Sequence, residues 1–190
     1  MQLLTRKFTI EQYHKMADVG ILHEQDRVEL IRGEIIEMSP IGLKHAATVN
    51  RLNQLFQQKL GQRIIVSIQN PIQLADTSEP QPDVALLKSR PDFYETKIPT
   101  PEDIFLLVEV ADRSFNYDRD VKIPLYAENK IIEVWLIDVN NQSIRVYRQP
   151  EENSYQDVQN FTRGQSVSPK AFPDTIITLD EILGSSSGSN

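Results

Sequence analysis

The stretch from Ile104 to Val110, IFLLVEV, is the most apolar run in the chain. A short run of this kind, without helical spacing, predicts a strand buried on both faces at the centre of a sheet. One residue interrupts it. Glu109 places a carboxyl where water is scarce, and that is costly unless the group meets a cation or hydrogen-bond donors. Strand ends in such sheets are also where sites are commonly built. Core and candidate site are therefore predicted to meet at the end of this strand.

The rest of the chain supplies the partners of that strand. Thr9 to Met16 reads as a short helix with Thr9 as N-cap. Arg27–Ile31 and Glu34–Met38 flank Arg32-Gly33, a hairpin signal, because glycine tolerates the positive φ of a tight turn. Lys44–Leu60 carries Val49, Leu52, Phe56 and Leu60 at the spacing of one helix face, and Gly61 ends it. Ile64–Ile68 and Asp83–Leu87 read as strands. Ser89–Asp103, with Pro91, Pro99 and Pro101, reads as a surface loop. A helix capped by Asp120 and running to about Asn129 keeps Pro124 in its first turn, where proline is tolerated. Glu133–Asp138 and Ser143–Arg148 follow as strands joined by Asn140-Asn141, with further strand signals near Tyr155 and Thr175. This order predicts an α/β (α+β) domain, a mixed sheet flanked by helices, over 1–183, with a flexible tail at 184–190.

Bulk properties exclude several functions. The 190 residues contain no cysteine, so disulfides, thiolate metal sites and a cysteine nucleophile are ruled out, which fits a cytoplasmic location. No apolar run is long enough to cross a bilayer. The net charge of −7 argues against a general basic coat for nucleic acid. The segment Met38–Ala75 nevertheless has no acidic residue and carries Lys44, Arg51, Lys59 and Arg63. It is either a local basic face, with Lys44 and Arg51 as nucleic-acid contacts, or a solvated helix side. There is no H-x-x-x-H pair, no phosphate-cradling glycine loop and no nucleophile elbow.

Chemistry is left to a few residues. Asp83 opens an apolar strand after Pro82 and is a second acid near the core. Asp83 and Glu109 on neighbouring strands could share a hard cation such as Mg²⁺ or Mn²⁺, or could cap turns and meet arginines. Lys122, 13 positions after Glu109, could swing back over the strand end to stabilise phosphate charge, or could be a surface lysine. Glu29 reads as a supporting acid or as a charge on an exposed hairpin face. His45 lies near the apolar face of its helix and reads as an accessory group or a structural histidine. His14 and His23 have no evident partner.

Taken in order, VELIRGEIIEMSP, His45, QPDVALL, LLVEVADRS and DVKIPLYAENKIIEVWLID resemble the Uma-type restriction-endonuclease-like family, a former domain of unknown function in the PD-(D/E)XK nuclease superfamily. The resemblance runs from about Phe8 to Leu183. It implies Asp83 and Glu109 as metal ligands, with the Val110 backbone carbonyl as a further one and Glu29 as an acid ahead of the core helix. It also implies Mg²⁺- or Mn²⁺-dependent hydrolysis of DNA phosphodiester bonds, by a homodimer. The superfamily lysine two positions after the second acid is replaced here by Ala111, and Lys122 stands in for it. The alternatives are a catalytically inactive nuclease-fold interaction module and an enzyme for a smaller phosphodiester.

Overall fold

The computed structural model describes residues 5–23 and 25–184. The predicted tail therefore lies outside the described residues, apart from Gly184. Thr9 opens α1 (Ile10–Asp18) through a capping box shared with Gln12. β1 (Val28–Ile31) and β2 (Glu34–Glu37) pair antiparallel across Arg32-Gly33. Both turn residues have positive φ, 48° and 76°, as a tight hairpin turn of the primed type requires. α2 (Leu43–Leu60) buries Val49, Leu52, Phe56 and Leu60 and stops at Gly61.

The main sheet has six strands: β3 (Ile64–Ile68), β4 (Val84–Lys88), β5 (Ile104–Ala111), β6 (Glu133–Asp138), β7 (Ser143–Glu151) and β8 (Ser154–Thr162). They lie in sequence order, and β5–β6 is the parallel pair of an otherwise antiparallel sheet. A small pair, β9 (Ser166–Val167) with β10 (Ile177–Thr178), leads into α5 (Leu179–Leu183), which packs beside α2. β5 is buried on both faces. Leu106, Val108 and Val110 pack with α2, α5 and Trp135. Leu107 and Ala111 face the other way, with Tyr126 and Leu136. Strand alternation puts Glu109 on that second face.

The parallel β5–β6 step needs a crossover. It is α3 (Phe115–Tyr117), a π-helical turn (Asp118–Lys122) and α4 (Ile123–Glu128), running without a break. The expected helix start at Asp120 is therefore corrected. The backbone is already helical at Tyr117, with φ −64° and ψ −47°, so Asp120 caps nothing. It is exposed and pairs with Arg119 at 2.7 Å. The wide turn accounts for this continuity. The Ile123 N–H bonds five residues back to the Asp118 carbonyl, so the hydrogen-bond register changes where Pro124 has no N–H to offer.

Candidate active site

The β4–β5 register, Val84 opposite Val108, carried one step further, brings Asp83 opposite Glu109 at the end of the sheet. Asp83 is held from three directions. His45 Nε2 lies 2.9 Å from Oδ1, Gln69 Nε2 donates to Oδ1 at 3.1 Å, and the Val110 N–H donates to Oδ2 at 2.8 Å. Burial alone would raise the Asp83 pKa; hydrogen bonding and charge from His45, with the other two donors, hold it below the usual carboxylate value. His45 reaches this point from the first turn of α2, which packs on one face of the sheet.

Glu109 is buried. Its Oε1 accepts the Tyr126 hydroxyl from α4 and lies 3.3 Å from Lys122 Nζ. Burial pushes its pKa well up; Lys122 opposes the shift, and the charges of Asp118 and Asp83 add to it. Lys122 is 5% exposed, so it is no surface lysine. Its ammonium also lies 3.1 Å from Glu29 Oε2. Burial works against that ammonium, but Glu109, Glu29, Asp118 and Asp83 outweigh it and raise its pKa. Glu29, 2% exposed, faces the site and not solvent, and Oε2 also accepts the Gln81 N–H at 3.1 Å.

Glu29, His45, Gln69, Asp83, Glu109 and Lys122 line one cavity of about 550 Å³, with Arg27 and Arg113 toward its rim. Asp118, which the sequence reading passed over, is also there. It accepts the Ser114 hydroxyl at 2.6 Å, and burial pushes its pKa up to about 6. Asp118, Lys122 and Tyr126 are spaced by four, the interval of one helix face. Starting the helix at Asp120 hid that pattern. Two buried side-chain polar atoms lack a hydrogen-bond partner among the described residues, His45 Nδ1 and Tyr117 Oη, and both residues line this cavity.

Lys44 and Arg51 are not among the lining residues. Arg51 packs its guanidinium against Gly184. Lys59 pairs with Glu181 and Arg63 with Asp174, so part of the expected basic face is spent on internal contacts. His14 pairs with Glu79 at 2.8 Å, a partner the sequence did not disclose.

The fit of a divalent cation rests on charge and donor chemistry. The Lys122 ammonium pairs with Glu29 and Glu109, and Asp83 and Asp118 line the same cavity, leaving acid charge to balance. The donors are oxygens, which suit Mg²⁺ or Mn²⁺. In an extended strand, the N–H and C=O of one residue leave on the same edge. The Val110 N–H points to Asp83, so its carbonyl lies on the edge that Asp83 occupies. Among the described residues, no three His, Asp or Glu side chains converge to hold an ion by themselves. Asp83, Glu109 and the Val110 carbonyl would therefore need water or substrate oxygens to complete a coordination shell.

A central mixed sheet, β3 to β8, flanked by helices is the restriction-endonuclease-like architecture. That makes this a nuclease-fold protein. The chain belongs to the Uma2 family, described as "Putative restriction endonuclease", whose model matches residues 10–180. The family lies within the PD-(D/E)XK nuclease-like superfamily. A crystal structure described as a "putative nuclease belonging to DUF820" from Anabaena variabilis ATCC 29413 has the same fold, with a TM-score of 0.74 and 17% identity. The match covers 93% of this chain and 97% of that one. No curated protein matches the sequence.

Proposed function

We propose that the chain is a divalent-metal-dependent endonuclease that hydrolyses DNA phosphodiester bonds. The observation that supports it best is the buried ammonium of Lys122 among four carboxyl groups in an open cavity. Burying so many like charges around one cation is expensive unless a further cation joins them. Asp83, Glu109 and the Val110 carbonyl would hold Mg²⁺ or Mn²⁺. When bound, the metal supplies positive charge that acidifies a water and offsets charge developing on phosphorus. His45, Gln69 and the Val110 N–H fix the orientation of Asp83, and Tyr126 fixes that of Glu109. Lys122 donates to a phosphate oxygen, with Glu29 as its tether. Arg27 and Arg113 on the rim meet the flanking phosphates. A homodimer in the cytoplasm, supplying one such site for each strand, belongs to the same proposal; light scattering that shows a monomer at micromolar concentration would remove that part.

A second reading is favoured by a specific observation. No three side chains of ligand type converge among the described residues, and the acids are already engaged by Lys122, His45 and Tyr126. On that reading the chain is a nuclease-fold interaction module without hydrolytic activity. Calorimetric titration with Mn²⁺, beside Asp83→Ala and Glu109→Ala, separates the two when paired with a cleavage assay on several DNA forms. Binding and Mn²⁺-dependent cleavage, both lost in the variants, are expected of the nuclease. Folded parent protein that neither binds Mn²⁺ nor cleaves DNA with it supports the module.

A further inference from the structure

Tyr117 lines the cavity, yet its buried hydroxyl has no hydrogen-bond partner among the described residues. A buried polar group without a partner is destabilising, and phenylalanine would fill the same space without that cost. The hydroxyl is accounted for if it gains a partner in another state of the site.

The surroundings identify that partner. Tyr117 stands immediately before the π-turn that carries Lys122, one wide turn further on. Burial holds the phenol protonated, so it can serve as a donor. Among its charged neighbours, Asp118 already takes the Ser114 hydroxyl. Glu109 Oε1 already takes the Tyr126 hydroxyl. Lys122 cannot accept. Glu29 is left: it exerts the largest charge effect on the phenol, and among the described residues it has no hydroxyl donor, only the Gln81 N–H and the Lys122 ammonium, each at 3.1 Å.

Lys122 is clamped between two carboxylates, at 3.1 and 3.3 Å. To serve an incoming phosphate it must loosen that clamp, which leaves Glu29 buried with the Gln81 N–H and no cation. We infer that Tyr117 is a positioning residue whose hydroxyl replaces the ammonium as donor to Glu29 when Lys122 turns to a phosphate anion. The inference rests on the reading of the cavity as a phosphodiester site. It adds a donor exchange that lets the lysine move without stranding a buried charge.

One arm of the test needs no ligand. Tyr117→Phe is made in the parent and in Lys122→Met, and thermal unfolding is followed at pH 8. In the parent the change leaves Tm unaltered or raises it, because no hydrogen bond is lost. In Lys122→Met the same change lowers Tm by about 2–4 °C, because the hydroxyl then serves Glu29. An equal loss in both backgrounds, or none in either, overturns the inference. The second arm titrates orthophosphate in the presence of Mg²⁺. Tyr117→Phe weakens its binding about tenfold, and adding Glu29→Gln restores it, since a neutral amide no longer needs the donor. Weakening without rescue, or no weakening, counts against the donor exchange. If Lys122→Met does not fold, the phosphate arm decides. If the parent binds no phosphate, the reading of the cavity fails, and the unfolding comparison still decides the role of Tyr117.

Discussion

Asp118 shows how this site trades stability for charge. Its pKa is pushed from the ordinary 3.8 up to about 6, chiefly by burial. A carboxyl whose folded pKa lies above its unfolded value takes up protons on folding, so it costs stability as pH rises from about 4 to about 6 and keeps that cost above. Asp118→Asn is therefore expected to stabilise the metal-free protein at pH 8 by about 1–3 kcal/mol, with the gain fading as pH falls from about 6 to about 4 and absent below that. Denaturant melts across that range check it; a constant gain at every pH would refute the charge argument. His45 plays a different part. Its Nε2 holds Asp83 at 2.9 Å, so His45→Ala frees the proposed ligand to rotate. Mn²⁺ affinity is expected to fall about 10–100-fold by calorimetry, the usual consequence of removing the group behind a ligand.

Among the elements, the β1–β2 hairpin brings Glu29 to the site, and its turn has little tolerance. Gly33 has φ +76°, and a Cβ there would lie 2.7 Å from Lys7 Cβ and 3.0 Å from the backbone of Phe8. Gly33→Ala is expected to cost about 2 kcal/mol, seen as a lower urea midpoint at unchanged slope. The crossover is the other decisive element. Its π-turn lets helix continue up to Pro124 while turning Asp118 and Lys122 inward. From sequence, Pro124 suggested a helix starting at Asp120, because local rules weigh a proline only against a regular α-helix. A π-turn has no composition signal of its own and is set by what the helix must reach.

For the molecule as a whole, a cation that joins the acids binds only where the fold assembles them. Saturating Mg²⁺ or Mn²⁺ at about 100 times Kd would then add about 2.7 kcal/mol of stability, a Tm rise of about 5–10 °C for a chain of this size. The rise is expected to vanish in Asp83→Ala and in Glu109→Ala. Equal rises in parent and variants would mean that the metal acts elsewhere. With a net charge of −7, DNA affinity under the proposed function would depend on few phosphate contacts, such as Arg27 and Arg113. A shallow salt dependence follows, with a log–log slope of about −2; a slope several times steeper would require a basic surface well away from this cavity.

The sequence alone determined the frame. Apolar periodicity set the helix of Val49, Leu52 and Phe56, the buried strand around Glu109 and the turn at Gly33, because these depend on local spacing and backbone freedom. The order of short motifs identified the family. Only the tertiary structure decided which charges meet. Glu29, Lys122 and Asp83 each had an ordinary surface or turn reading, and it is the sheet register and the crossover that bury them together. Tyr117, Asp118 and the rim arginines had no local pattern to mark them. Their surroundings are assembled from the hairpin, α2, β4, β5 and the π-turn, segments far apart in the chain, and burial that turns an ordinary acid or phenol into a perturbed one depends on all of them at once.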